Sequence, residues 1–66
     1  MRVETEQEAD GRWIAEVPSI PGAMVYAVTR KEAVAKVEAL VLRILADKVE
    51  NGDATPQLDE VFSEAV

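Results

Sequence analysis

The sequence contains neither cysteine nor histidine, and these two absences exclude several classes of function. Without cysteine no disulfide can form, and without either residue there is no ligand cluster for a structural zinc ion. Without histidine no side chain has an unperturbed pKa near neutral pH, and no Ser–His or Cys–His pair exists. The sequence also lacks a phosphate-cradling glycine loop and any metal-ligand spacing. We therefore expect no catalytic residues, no metal site and no cofactor.

The chain is also short and has no long apolar run. Its 66 residues form one small domain, 1–66, whose core is marginal when it stands alone. With no disulfide or zinc, the support that remains available to so small a domain is self-association, as a dimer or a tetramer. No apolar stretch approaches the roughly 20 residues that span a bilayer, and the amino terminus lacks a secretory signal pattern. A cytoplasmic, bacterial-type protein fits these features.

The charge is acidic, with 13 Asp and Glu against seven Lys and Arg and a formal net charge of −6. Acidic surfaces disfavour direct contact with nucleic acid and anionic membranes, and they favour a basic protein partner. The same acidity also serves solubility, and composition alone does not separate the two interpretations.

The first third of the chain predicts a β-hairpin around Asp10-Gly11. A two-residue loop would place carboxylates on the apolar face, whereas a three-residue loop over 9–11 pairs Glu8 with Arg12. We favour the three-residue loop, with Gly11 in the left-handed region. It produces an apolar face and an acidic face, which are Val3, Thr5, Trp13, Ala15 and Val17, and Glu4, Glu6, Glu8 and Glu16.

Next comes a corner with the sequence Glu-Val-Pro-Ser-Ile-Pro-Gly over residues 16–22. Proline donates no amide hydrogen, so Pro18 and Pro21 cannot lie inside a central strand. Ile20 stands between them, and two interpretations remain equally open. It either fills a pocket of a partner or folds back on the end of the helix.

A long amphipathic helix follows the third strand. Thr29 and Glu32 have the spacing of a capping box, and Asn51-Gly52 ends the helix. One broad apolar stripe is built from residues spaced three and four apart, namely Ala33, Val34, Val37, Leu40, Val41, Ile44 and Leu45.

The opposite side of this helix carries a second apolar set, Ala35, Leu42, Ala46 and Val49. A few exposed apolar residues are normal on a surface. Because the core is small, we nevertheless favour an oligomer interface here, which Leu42→Asp would weaken. On the third strand Met24 and Tyr26 share one face and Val25 and Ala27 share the other. One of these pairs packs under the helix and the other is free to meet a neighbouring copy.

These elements predict an α+β fold of β-β-β-α-β order, an antiparallel sheet of three to four strands packed on one long helix. Residues 58–66 are ambiguous between a helical turn and an edge strand. The expected strands lie at about 2–8, 12–17 and 23–28, the helix at about 30–51, and an uncertain last strand at about 60–65.

The corner and the helix entry resemble the HicB family of antitoxins. The residues that carry the resemblance are Pro18, Ile20 (usually leucine in the family), Pro21, Gly22, Thr29 and Ala33. They stand in the family's order of strand, corner, strand and capped helix, and the resemblance extends from about residue 1 to residue 52.

The resemblance implies a partial ribonuclease H fold and a non-catalytic function. A HicB-like antitoxin binds and occludes a small basic HicA-type toxin that cleaves messenger RNA. Many members also carry a carboxy-terminal DNA-binding domain. Only 14 residues follow Gly52, without Lys or Arg, so we expect a short form that does not bind DNA.

Two alternatives remain beside the antitoxin. One is a homo-oligomeric domain of the same fold with a different protein partner. The other is a metal-dependent nuclease, which the alternating glutamates of the first strand disfavour because they are spread along a face instead of converging. Trp13 is either a partner anchor or a cap on the core. The hypothesised partner-binding residues are Glu4, Glu6, Glu8, Glu16, Ile20 and Trp13.

Overall fold

A computed structural model describes residues 1–62 of the chain. Over these residues an antiparallel three-stranded sheet, in the order β1-β2-β3, packs against one long helix. The predicted α+β class and the β-β-β-α order are therefore confirmed. The elements are β1 (Glu4–Gln7), β2 (Trp13–Glu16), β3 (Met24–Ala27), α1 (Arg30–Glu50) and a 3₁₀ helix (Pro56–Glu60).

The hairpin between β1 and β2 has the predicted register. The Glu8 amide donates to the Arg12 carbonyl at 2.7 Å, and the Gly11 amide donates to the Glu8 carbonyl at 2.9 Å. Gly11 has a φ of 92°, which favours glycine because it lacks a Cβ. The register sets Thr5 opposite Ala15 and Glu4 opposite Glu16. The three-residue loop thus places the apolar and acidic residues on opposite faces.

The proline corner consists of two consecutive β-turns. The Ile20 amide donates to the Val17 carbonyl at 3.0 Å, and the Ala23 amide donates to the Ile20 carbonyl at 3.1 Å. Each turn has a proline at its second position, where the fixed φ of proline is favourable. Gly22 follows the second proline with a φ of 84°, which a type II turn requires at this point.

Ile20 is the residue that the two turns share, and its side chain is only 2% exposed. It belongs to the hydrophobic core together with Val17 and Ala23, which flank the corner. Of the two interpretations of Ile20, the structure therefore shows the one in which it folds back onto the domain. The hypothesis that it fills a partner's pocket is corrected, because the two turns direct this side chain inward.

Both ends of α1 are capped by the residues that the sequence indicates. Thr29 Oγ1 accepts a hydrogen bond from the Glu32 amide at 3.1 Å. The Glu32 carboxylate lies 2.9 Å from Lys36 Nζ and does not accept from the Thr29 amide, so only one of the two hydrogen bonds of the predicted capping box forms. At the other end the Asp53 amide donates to the Lys48 carbonyl at 2.9 Å, the longer bond of a Schellman motif.

The core lies between α1 and the covered face of the sheet. Its residues on α1 recur at spacings of four, as the predicted apolar stripe requires. Small side chains dominate, so little apolar surface is buried. The buried residues are Ala15, Val17, Ile20, Ala23, Ala27, Ala33, Val37, Val41 and Leu45.

The segment after α1 is helical where the structure describes it. Leu58 donates its amide to the Thr55 carbonyl at 3.0 Å and packs against the core. The predicted last strand at 60–65 is therefore corrected over residues 60–62, because residue 60 ends the 3₁₀ helix and the amides of Val61 and Phe62 donate to the Leu58 carbonyl at 3.0 and 2.7 Å. Its remaining part extends over residues 63–65, which lie outside the described residues.

Burial of Ile20 predicts a large loss of stability when this side chain is truncated. Ile20→Ala should lower the free energy of unfolding by about 2–5 kcal/mol, because it removes a buried aliphatic side chain and leaves a cavity. Ser19→Ala, at the exposed neighbouring position, is the matched control and should change it by less than about 0.5 kcal/mol. Urea unfolding followed by circular dichroism measures both. Equal stability of the two variants would contradict the inward placement of Ile20.

Candidate functional site

The sheet has two faces, and α1 covers only one of them. The register places alternate residues of each strand on the other side, away from the helix. We call this surface the open sheet face, and its strand residues are Glu4, Glu6, Ile14, Glu16, Met24 and Tyr26.

The open sheet face is apolar at Ile14 and along the edge strand β3. Ile14 lies opposite Tyr26, and Met24 lies opposite Glu16. Met24 and Tyr26 share this face and are exposed, while Val25 and Ala27 pack toward the helix, as the alternation of β3 predicts. Sequence reasoning did not single out Ile14, although its position between Trp13 and Ala15 on a period-two strand places it here.

One side of the open sheet face is strongly acidic. Glu4 lies opposite Glu16, so two carboxylates of like charge face each other across β1 and β2. Arg2 Nη2 lies 3.2 Å from Glu4 Oε2 and neutralises part of this charge. The carboxylates of Glu6 and Glu16 form no ion pair with any residue in the range 1–62. This side therefore offers uncompensated negative charge to a partner.

Arg12 lies at the boundary between the acidic and apolar parts. Its guanidinium carbon is 4.7 Å from the centroid of the Tyr26 ring, which is within the range of a cation–π contact. Its Nε donates to Asp10 Oδ2 at 2.8 Å, and its backbone amide donates to Asp10 Oδ1 at 3.0 Å. Asp10 thus orients Arg12 over the ring, and Tyr26 is held in place from the hairpin turn.

The residues predicted to bind a partner separate into two groups. Glu4, Glu6 and Glu16 lie on the open sheet face, and Glu8 extends the same side of the hairpin beyond β1. Trp13 points to the covered side, where it is partly buried and packs against the core. This is the core-capping role rather than the partner anchor. Ile20 is buried as described, so the acidic group alone forms a surface.

The second apolar set on α1 is exposed and lies beside the carboxy-terminal segment. Leu42 is 62% exposed, and Ala35, Ala46 and Val49 are exposed as well. Three of these four residues line a groove together with residues of the segment after the helix. We call it the helix groove, and its apolar lining is Leu42, Leu45, Ala46, Val49, Leu58, Val61 and Phe62. Sequence reasoning did not include Val61 and Phe62 in this surface, because the conformation of residues 58–66 was left open between a helical turn and an edge strand.

Among residues 1–62 no three acidic side chains come together in a group that would hold a metal ion. The glutamates of the open sheet face point outward from separate positions along β1 and β2. In the same range of residues, α1 is too polar to cross a bilayer.

The hydrogen bonds between Asp10 and Arg12 predict a lowered pKa for the Asp10 carboxyl. Hydrogen bonds from Arg12, first from its backbone amide and then from its guanidinium, lower the pKa of Asp10 below its ordinary value. The stabilisation from these bonds is therefore complete above the ordinary pKa and is lost as the pH falls through the lowered one. In Arg12→Ala the backbone bond remains, so the pKa should rise only part of the way. Carboxyl-carbon NMR titration measures it, and an unshifted Asp10 in the unmodified protein would contradict the geometry.

No family model matches the chain, and comparisons with curated proteins and with solved structures give no match either.

Proposed function

We propose that this protein is a HicB-like antitoxin, which binds a small basic HicA-type ribonuclease toxin and occludes its RNA-binding surface. In this role the chain performs no reaction of its own. The proposal rests on the resemblance of the corner and helix entry to that family and on the character of the open sheet face.

The residues that carry the resemblance have defined structural roles in this chain. Pro18 and Pro21 set the two turns of the corner, Gly22 completes the second turn, and Thr29 caps α1. Together they control how β2 connects to β3 and how β3 connects to the helix. Their arrangement supports a common fold with the family. It does not by itself define a partner.

The observation that carries the function is the composition of the open sheet face. The apolar residues Ile14, Met24 and Tyr26 adjoin the glutamates of β1 and β2, and a surface that combines apolar side chains with charged neighbours is typical of protein interfaces. A basic partner would be steered toward the glutamates and oriented by them, since complementary charge increases association rates and suppresses incorrect registers. A toxin that binds RNA carries positive charge of this kind.

The helix groove favours a second candidate function. Its exposed apolar side chains, including Leu42 and Val49, give the domain a further surface for protein contact. A homo-oligomeric domain of the same fold with a different protein partner would use this groove. In that case the open sheet face would not need a basic partner.

Co-expression tests the antitoxin proposal directly. The partner to use is a small basic protein with a histidine encoded next to this chain's gene. Co-expression should relieve the growth arrest that the partner causes, and the two proteins should purify together. The proposal fails if the chain neither binds that neighbour nor relieves its toxicity.

Charge reversal on the open sheet face locates the binding surface. The double variant Glu6→Lys with Glu16→Lys should weaken binding of the basic partner by at least about tenfold, mainly through slower association. Asp53→Lys with Asp59→Lys makes the same change of net charge on exposed positions outside this face and is the matched control. Surface plasmon resonance at two salt concentrations separates rate from affinity. Equal losses in both double variants would show that net charge acts alone and would contradict this site.

A further inference from the structure

The sheet has two edge strands, and they differ in how well they are protected from pairing. The order β1-β2-β3 leaves one side of β1 and one side of β3 without a strand neighbour among residues 1–62. An edge strand presents unpaired N–H and C=O groups and is a ready template for another strand. The two edges therefore need to be compared.

The backbone groups that face each edge follow from the hydrogen-bond pattern. The Val17 amide donates to the Ala23 carbonyl at 3.0 Å, so the odd-numbered residues of β3 direct their backbone groups toward β2. The Glu8 amide donates to the Arg12 carbonyl, so the even-numbered residues of β2 direct their backbone groups toward β1 and the odd-numbered ones toward β3. On β3 the backbone groups of Tyr26 and Val28 consequently point to the free edge.

The β1 edge is protected by charge. Glu4 and Glu6 lie on this strand, and a second copy brought against it would bring the same carboxylates. These charges oppose pairing at β1.

The β3 edge has no such protection. Its strand carries no charged residue, and the outward side chains of Met24, Tyr26 and Val28 are 49%, 43% and 76% exposed. No backbone group of residues 1–62 accepts from the Val28 amide. An edge strand that is uncharged and apolar and has an unpaired backbone N–H group can pair with a strand of another molecule.

We propose that β3 pairs antiparallel with β3 of a second copy, about a twofold axis that passes beside Tyr26. In this register Tyr26 lies opposite Tyr26 of the second copy, and Val28 lies opposite Met24 of the second copy. Both Tyr26 amides donate to Tyr26 carbonyls, and both Val28 amides donate to Met24 carbonyls. The two three-stranded sheets then form one continuous sheet.

The internal hydrogen bond of Met24 limits the pairing to this length. Its amide already donates to the Gly22 carbonyl at 3.0 Å, so it is not available as a donor to the Val28 carbonyl of the second copy. The proline corner thus ends the strand pairing on one side, and the capped start of α1 follows Val28 on the other. The antiparallel pairing between the two copies is therefore limited to residues 24–28.

The side chains favour a second copy over an unrelated strand. In this register every exposed apolar residue of the edge contacts its equivalent or its complement, since Tyr26 meets Tyr26 and Met24 meets Val28. The glutamates of β1 lie at the far side of each sheet, so two copies of net charge −6 associate with their acidic strands apart. The inference does not rest on the proposed antitoxin function, because it is argued from the backbone donors of the β3 edge and concerns a different partner, although Met24 and Tyr26 belong to both surfaces.

Removing the free donor of the β3 edge tests the proposal. Val28→Pro deletes an amide hydrogen that has no partner within residues 1–62, so the monomer keeps its hydrogen bonds while each dimer loses two. Sedimentation equilibrium should show the unmodified protein as a dimer at micromolar concentration, and Val28→Pro should raise the dissociation constant by at least about tenfold. Val28→Thr keeps the amide and is the matched control.

Cysteine cross-linking distinguishes this edge from the helix groove. The chain has no cysteine, so each single substitution reports one position. In the proposed register the two Tyr26 residues form a hydrogen-bonded opposed pair, whose Cα atoms are about 5.5 Å apart, within the range that a disulfide spans. Tyr26→Cys should therefore form a covalent dimer under mild oxidation, whereas Leu42→Cys should not.

Three results would overturn the proposal. They are a folded monomer at high micromolar concentration, unchanged dimerisation of Val28→Pro, and cross-linking through Leu42→Cys but not through Tyr26→Cys. If Val28→Pro does not fold, as judged by circular dichroism, the cysteine pair decides the question. Loss of toxin binding with an intact dimer would instead count only against the proposed function.

Discussion

The packing of one helix on one face of a three-stranded sheet is the constraint on which the rest of this structure depends. A sheet has two faces and two edges, and a single helix can cover only one face. The core between them is built largely from alanine and valine, with Ile20 and Leu45 as the larger contributors. It therefore buries little apolar surface, and the domain retains exposed apolar residues on the open sheet face, at the β3 edge and along the helix groove.

The elements that depend on neighbouring residues were predictable from the sequence. The hairpin register follows from the requirement that carboxylates avoid the apolar face, and Thr29 and Gly52 define the helix ends through local hydrogen bonds. The direction of Ile20 was not predictable, because prolines define turns without determining which way the residue between them points. The exposed set at Leu42 was recognised from helical spacing, but the residues that complete its groove come from a segment whose 3₁₀ conformation the sequence leaves open.

The surfaces that α1 leaves uncovered differ in chemistry, and they therefore suit different partners. The open sheet face combines Ile14 and Tyr26 with glutamates and suits a basic protein, as the proposed antitoxin function requires. The β3 edge is uncharged and presents backbone donors, so it suits another strand. Because Tyr26 belongs to both surfaces, a dimer would place two open sheet faces side by side and enlarge the area offered to a partner.

Concentration-dependent hydrogen exchange at the two sheet edges tests most directly whether the uncovered part of the sheet is a protein contact surface. The amides of Tyr26 and Val28 face the free edge of β3, while those of Thr5 and Gln7 face the free edge of β1. We expect Tyr26 and Val28 to be protected at high protein concentration and to exchange rapidly after dilution, with Thr5 and Gln7 unchanged. Exchange at Tyr26 and Val28 that is rapid at every concentration would contradict the account.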